Sequence, residues 1–375
     1  MKRLLLAGGG QTHALVLREL ARAKPADVEI VLVTPSRHLP YSGMLPGWIA
    51  GHYSLEEIVI DLDPLVRAAG ARLISAHVQT LDLASRTVRT DTGETIGFDT
   101  LSIATGATLD VDAIPGARQH ALSLRPLDGF IAGWQQIRQR AAAARDTFHL
   151  TVIGAGAGGV ECALAAAYRL HSVPSVQVQL VTGGLPILPG HGARARSLMR
   201  AALRQANVNL IDGVATKLDG AMIELANSLA VSTDATLLVT GASALAWPAQ
   251  AGLAVDDRGF IAVNAFLQST SHAWAFAAGD VASLTHAPRP KSGVYALRAA
   301  VALANNLIAA TTGQPMSAFR PQRLALYLLT TGARNAIASW GPWAFAGKWV
   351  WRWKNSIDRG YIAKLRRPTN PQTDP

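Results

Sequence analysis

Two segments of this chain repeat one pattern, a short apolar strand that runs into a glycine-rich turn and then a helix, and nothing else in the sequence restricts the fold as much. Residues 3 to 34 read as strand (RLLLA), turn (GGGQTH), helix (ALVLRELARA) and strand (VEIVLVT). Residues 150 to 182 repeat the unit as LTVIG, AGAGG, VECALAAAYRL and VQVQLVT. Glycine is required there because the backbone must turn tightly and approach a pyrophosphate closely, while the helix N-terminus offers free N–H groups and a positive dipole end. The second copy, Gly154-x-Gly156-x-x-Gly159, is complete; the first, Gly8-x-Gly10-x-x-His13, has histidine in place of the third glycine. Two such turns in strand–turn–helix context imply two dinucleotide sites and a doubly wound α/β fold.

The 375 residues, 49% of them hydrophobic and without a low-complexity tract, are enough for two or three packed domains. A single cysteine excludes a disulfide framework and any Cys-based zinc or iron–sulfur centre, and no metal site is expected. The opening MKRLLLAGGG mimics a signal peptide, but its short apolar run ends in glycines and reads as a first strand. No run of roughly 20 apolar residues suggests a membrane span. The net charge of +10 is uneven: residues 348, 352, 354, 359, 364, 366 and 367 are basic against the single acid Asp358, leaving the rest only mildly basic. With no recognised motif accompanying that charge, no nucleic-acid partner is expected.

Three further segments fall in a telling order. DTLSIATGA (99 to 107) is a buried strand ending in Thr-Gly, AWAFAAGDVA (273 to 282) a strand ending in Gly-Asp, and RPKSGVYALRAAVALANNLIAA (289 to 310) a turn feeding a long helix. With both glycine turns they resemble the pyridine nucleotide–disulfide oxidoreductase superfamily over roughly residues 1 to 316. The resemblance implies two Rossmann-like domains, one inserted in the other: an FAD-binding domain over 1 to 115 and 258 to 316, an NAD(P)H-binding domain over 116 to 257, and a C-terminal amphipathic segment over 317 to 375.

It also implies roles. FAD would be held by Gly8, Gly10 and His13 of the first turn, by Thr34, Pro35, Ser36 and Arg37 after the second strand, and by Ser42, Gly43 and Met44. Val78, then Ala104, Thr105 and Gly106, then Gly279 and Asp280, then Lys291, Ser292 and Gly293 complete that set. NAD(P)H, the co-substrate, would use Gly154, Gly156, Gly159, Thr182 and Gly241. Lys291, at the start of the long helix, would face the flavin edge where negative charge develops on reduction. Asp280 also suits a helix N-cap, and Lys291 also suits a solvated surface position.

Disulfide reductases of the superfamily carry a Cys-x4-Cys pair after the first unit, where this chain reads PSRHLPYSGMLPGWIAGHY without a thiol. Cys162 is expected to be a buried packing residue. Electrons must then leave the flavin for a diffusible acceptor, as in type II NADH:quinone dehydrogenases, which these residues resemble. GGGQTH, TPSRHLPYSGMLPGWIAGHYS, LVTGGLPILPGHGARARSLMRAAL, PKSGVYALRAA and WRWKNSIDRGYI also resemble the flavoprotein module associated with selenide, water dikinase.

The chain departs from the pattern at Thr34 and Thr182, where dinucleotide enzymes usually end the second strand with Asp or Glu. That leaves the choice between NADH and NADPH open, with Arg194 and Arg196 either meeting a 2′-phosphate or lying solvated on a helix. Glu161 matches a carboxylate that type II dehydrogenases hold near the nicotinamide and quinone, where burial would raise its pKa for proton transfer; a first-turn helix acid is the plainer alternative.

Residues 340 to 367 hold five of the nine tryptophans among interleaved bases. On a helix from about 346, Trp349, Trp353, Ile357 and Tyr361 form one stripe, with Lys348, Arg352, Asn355 and Arg359 opposite. This composition suits an anionic membrane surface, contacted through 343 to 367, or else packing over the flavin domain or a homodimer contact. The expected activity is an FAD-dependent NAD(P)H oxidoreductase with a quinone-like acceptor, cytoplasmic and peripheral on the membrane. A soluble flavin reductase serving a protein or selenium-metabolism partner, and a flavin-binding redox sensor, are the alternatives.

Overall fold

Continuous apolar strands set the architecture, because a strand covered on both faces must be hydrophobic at every position rather than at every second one. The computed structural model describes residues 1–125 and 127–367. Residue 126, inside the expected NAD(P)H-binding domain, and residues 368–375 of the expected C-terminal segment lie outside the described residues.

The first half of the chain gives β1 (Lys2–Ala7), α1 (Gln11–Ala23), β2 (Val28–Thr34), β3 (Arg72–Ser75) and β4 (Thr100–Ile103). The middle gives β5 (Ala121–Ser123), β6 (Phe148–Ile153), α2 (Ala157–Leu170), β7 (Val176–Val181), α3 (Ala193–Gln205), β8 (Asn209–Ile211) and β9 (Ala235–Leu238). Then come β10 (Ala275–Ala277) and the long α4 (Gly293–Thr312), followed by β11 (Leu326–Thr331), β12 (Ala333–Trp340), β13 (Trp343–Gly347) and α5 (Lys348–Arg366).

The strands form two parallel five-stranded sheets, ordered β10-β4-β1-β2-β3 and β5-β9-β6-β7-β8. In the first, β10 returns from far along the chain to pair beside β4, so the second sheet is built from residues lying between. A two-residue antiparallel ribbon, Thr108–Leu109 against Ala242–Ser243, joins the two crossing segments. Leu4, Leu5 and Leu6 of β1 are completely buried, each worth roughly 1.5–3 kcal/mol in water exclusion.

Among the described residues one helix does have the length and apolarity to cross a membrane: α4, contrary to the expectation of none. In the fold it lies against α1, with Ala300, Leu303, Ala304 and Leu307 completely buried. Its apolarity is that of a core helix covering a parallel sheet.

The segment after α4 differs most from expectation. Residues 340 to 347, bounded by a Gly-Pro turn, belong to an antiparallel sheet ordered β11-β12-β13, and only from Lys348 does the chain become helical. Within α5 the expected stripe splits. Trp349, Trp353 and Ile357 are exposed, whereas Tyr361 is half-buried and packs against Tyr41, the rings tilted with centroids 4.8 Å apart. Steps of four residues advance 400° around a helix, so a stripe drifts by about 40° per step and by about 120° between 349 and 361. The buried face is instead Val350, Lys354, Asp358, Ile362 and Leu365.

This unit spans both sheets. Its hairpin meets the second, where Arg194 Nε donates to the Ala344 carbonyl at 2.8 Å and His191 Nδ1 lies 2.9 Å from Ser339 Oγ. Its helix meets the first: Lys354 Nζ donates to the Gly43 carbonyl (2.7 Å) and to Asp358 (2.6 Å), and Tyr41 OH donates to Asp358 (3.1 Å). At the rim, Tyr53 OH donates to Asn355 Oδ1 and Arg359 pairs with Glu57. Burial, with the Asp358 charge, pushes the Tyr41 hydroxyl well above its ordinary range.

Removing one partner of a buried ion pair leaves the other charge uncompensated, which costs more than deleting both. Lys354→Met should therefore lower unfolding stability by about 3 kcal/mol, and Lys354→Met with Asp358→Leu should recover most of it. Urea denaturation checks this; a double variant no more stable than the single one would show that the seam does not act as a pair.

Candidate functional site

Gly8 closes β1 at φ +100°, and a Cβ there would stand 2.7 Å from the Ala104 carbonyl oxygen at the end of β4. Only glycine lets the two strand ends approach so closely. Gly10 then caps α1 with no side-chain hydrogen bond and no acid in the first turn, so its leading N–H groups are left for a ligand. Around them the fold gathers residues distant in sequence. Gln11 Nε2 donates to Ser42 Oγ at 2.9 Å. A Cβ on Gly279 would meet Thr12 Oγ1 at 3.1 Å, and one on Gly293 would meet Gln11 Oε1 at 3.9 Å. The N-terminus of α4, whose N-cap is Ser292, thus opens beside that of α1.

His13 explains the missing third glycine. Its Nδ1 lies 2.5 Å from the Gly8 carbonyl and its Nε2 2.9 Å from Ser102 Oγ. A carbonyl only accepts, so Nδ1–H donates to Gly8 and Nε2 accepts from Ser102. Complete burial of this neutral ring lowers its pKa to about 4.

The other expected flavin residues divide. Ala104, Thr105 and Gly106 border the turn, and buried Thr105 Oγ1 has no partner. Asp280 pairs with Arg125 at 3.2 Å. Met44 is buried, Ser42 exposed and Gly43 half-buried, its carbonyl taken by Lys354. Thr34 is buried and donates to the Ser36 carbonyl, Ser36 Oγ donates to the His38 carbonyl, and Pro35 is exposed. Arg37 pairs with Asp63. Val78 opens a meander strand two residues after Ala76, whose N–H reaches the Thr34 carbonyl. Lys291 has its ammonium on the Phe260 ring face, 3.8 Å from the centroid, and donates to the Ala282 carbonyl; burial lowers its pKa to about 8. The ammonium is held by the protein rather than solvated.

An uncapped helix N-terminus, a cradle that a Cβ would fill and an orphaned buried hydroxyl fit a phosphate-bearing cofactor of the FAD type at this turn.

The second turn follows the same logic more tightly. Gly154 sits at φ +140°, and a Cβ there would fall 2.1 Å from the Val239 carbonyl oxygen; one on Gly159 would fall 2.0 Å from the Gly154 carbonyl oxygen. At Gly156 and Gly241 a Cβ would meet nothing within 4 Å, so the space above them is open. Gly156 caps α2 without a side-chain bond. Thr182, buried at the end of β7, donates to Asp212 Oδ1 at 2.8 Å. Arg194 and Arg196 both donate to backbone carbonyls, of Ala344 and His191.

A polar junction joins α2 to β11. Glu161, one turn inside α2, accepts from Thr330 N–H (2.7 Å) and Thr330 Oγ1 (2.8 Å) on β11. Desolvation raises its pKa, opposed by the Lys354 charge and the Thr330 bonds. Burial, with the Glu161 charge, pushes the neighbouring Cys162 thiol up, which disarms it as a nucleophile. Gln11, Arg125, Thr330 and Lys354 were not among the expected site residues. Gln11, beside the first glycine turn, was within reach of sequence reasoning; the others carry no local signal because they arrive from remote elements. No group of His, Cys, Asp and Glu suited to a metal ion occurs among the described residues.

The sequence profile described as pyridine nucleotide-disulphide oxidoreductase matches residues 3–302. A NADH dehydrogenase-like protein of Mycobacterium tuberculosis is 27% identical over 235 residues, 60% of this chain and 58% of that protein. The chain thus spans less than two thirds of that relative's length. The alternative NAD(P)H-ubiquinone oxidoreductase C1 of Arabidopsis thaliana is 24% identical, covering 88% of this chain and 71% of its own. The sulfide:quinone oxidoreductase of Aquifex aeolicus superposes with a TM-score of 0.82 at 21% identity, over 98% of this chain and 92% of that one; at that identity the likeness shows the fold.

His13 gives a pH signature. Its folded pKa of about 4 lies below the ordinary value of 6.5, so the unfolded chain binds more protons in that interval. Stability is therefore full above pH 6.5 and falls by about 3 kcal/mol as pH drops towards 4, at about 1.4 kcal/mol per unit. His13→Gln should lack this loss. Denaturation midpoints between pH 4 and 7.5 that run parallel for the two proteins would refute the assignment.

Proposed function

Because the chain belongs to the pyridine nucleotide-disulphide oxidoreductase family, we propose that it is an FAD-dependent oxidoreductase that takes hydride from NAD(P)H and delivers electrons to a quinone-like acceptor. The observation that carries this is the pairing of two dinucleotide turns with a single cysteine, buried and disarmed. No internal dithiol can relay electrons, so they leave the flavin directly for an external acceptor. The named activity of the Arabidopsis relative supports a quinone.

The FAD site is assigned to the first turn with Ser42–Met44, Ala104–Gly106, Gly279–Asp280 and Ser292–Gly293, in the portion of the chain over 1 to 115 and 258 to 316. The NAD(P)H site is assigned to Gly154, Gly156, Gly159, Thr182 and Gly241, within 116 to 257. When bound, FAD would supply the two-electron chemistry, and the protein contributes orientation and charge. The N-terminus of α4 places its positive dipole end on the flavin side. Lys291 supports that end from the Phe260 face, an electrostatic role. Glu161, buried beside Thr330 with its pKa raised by desolvation, is assigned to pass a proton to a quinone oxygen on reduction.

The C-terminal unit supplies a docking face for anionic membrane. Trp340, Trp343 and Phe345 on the hairpin and Trp349, Trp353 and Ile357 on α5 are all exposed, from 41% to 54%. Lys348, Arg352 and Lys364 are exposed on the same helix. Apolar rings with basic neighbours are the composition of an interfacial anchor.

Purified protein is expected to be yellow, to bleach with NADH or NADPH and to recover colour with a soluble quinone. Glu161→Gln should slow quinone turnover about 100-fold and leave bleaching intact; a flavin inert to both nucleotides would refute the proposal. Trp343→Ser with Trp353→Ser should abolish cosedimentation with phosphatidylglycerol vesicles while bleaching persists. Binding that survives would assign the face to another occupant, such as a second copy of the chain.

A further inference from the structure

Thr182 stands where nucleotide-binding folds usually carry the acid that holds the adenosine ribose. The carboxylate is nevertheless present, supplied by the neighbouring strand. Asp212 directly follows Ile211, the last residue of β8, and β8 pairs in parallel with β7 so that Val181 faces Ile211. That register carries Asp212 to the same edge of the sheet as Thr182, and the Thr182 hydroxyl fixes it there by donating to Oδ1 at 2.8 Å. The Asp212 side chain is exposed, and its second oxygen is not engaged by Thr182. Beside it Gly183 turns at φ +71°, and a Cβ there would meet nothing within 4 Å, so the surface next to the carboxylate is open.

The loop beside Asp212 offers no lysine or arginine to a phosphate. Residues 183 to 192, GGLPILPGHG, contain no Lys or Arg. The first arginines beyond, Arg194 and Arg196, are tied to the carbonyls of Ala344 and His191.

We propose that Asp212 is the specificity-determining residue of the nicotinamide site, selecting a dinucleotide whose adenosine 2′-hydroxyl is free over its 2′-phosphorylated counterpart. A free hydroxyl donates to the carboxylate, whereas a 2′-phosphate meets like charge beside a loop without Lys or Arg. Thr182 acts through Asp212 as a positioning residue. The inference rests on the assignment of the second glycine turn to NAD(P)H.

Titration calorimetry of the purified full-length protein with ADP-ribose and with 2′-phospho-ADP-ribose tests it without turnover. The unphosphorylated ligand should bind at least about tenfold more tightly. Asp212→Asn, which keeps the side-chain volume and an oxygen for Thr182, should bring that ratio below about three, and Thr182→Val should lower it less. Equal or reversed affinities in the wild type, a ratio unchanged in Asp212→Asn, or no binding of either ligand would overturn the proposal. Bleaching of the flavin is scored separately. Selective binding without bleaching would sustain the role of Asp212 while removing the oxidoreductase assignment, and bleaching with an unselective site would do the reverse.

Discussion

Helices α1 and α2 each begin at a glycine shortly after a strand end, with no side-chain cap and no acid in the first turn, and both candidate sites follow from that. An uncapped N-terminus is an unsatisfied positive end, costly if sealed inside the protein and useful only if an anion meets it. Gly10 and Gly156 occupy the two cap positions. The glycines around them let each turn lie against a carbonyl of an adjoining strand end, Ala104 in one case and Val239 in the other. Adding a side chain at Gly8 or Gly154 would force these contacts apart. At these two glycine turns the leading N–H groups have no side-chain acceptor, and the phosphates of two dinucleotides would match them.

The two turns differ instructively. The second keeps its third glycine, and Gly159 lies almost against the Gly154 carbonyl. The first replaces it with His13, which bonds to the turn instead of making room for it, joining the Gly8 carbonyl to Ser102 of β4. A side chain can thus stand in for a glycine when its own polar atoms complete the contact, provided the ring stays neutral. Burial enforces that neutrality and makes the first site sensitive to acid.

The C-terminal unit turns the usual amphipathic order around. Its buried face carries a lysine and an aspartate, and its solvent face carries indole rings. Lys354 and Asp358 can be buried because each satisfies the other and because Gly43 and Tyr41 take their remaining bonds. The same seam brings Lys354 close enough to Glu161 for its charge to oppose the rise in that group's pKa. Docking of the helix and the electrostatics around Glu161 are therefore set by one cluster, which joins a loop of the first sheet, a helix of the second and the C-terminal unit.

The sequence by itself determined the two strand–turn–helix–strand units, the start of the long helix at Ser292 and the absence of a redox dithiol. Those depend on local chemistry: apolar runs, glycine where backbone must approach backbone, and the count of one residue type. Tertiary structure decided everything that hangs on which distant segments become neighbours. Nothing near Thr182 indicated that a carboxylate would reach it, because Asp212 arrives through the parallel register of β7 and β8. Nor could local spacing show that Trp340 and Trp343 would pair on a hairpin at 5.5 Å, or that Tyr361 would leave the tryptophan stripe for Tyr41. A helical period fixes which residues share a face, but which face is buried depends on what the rest of the chain presents to it.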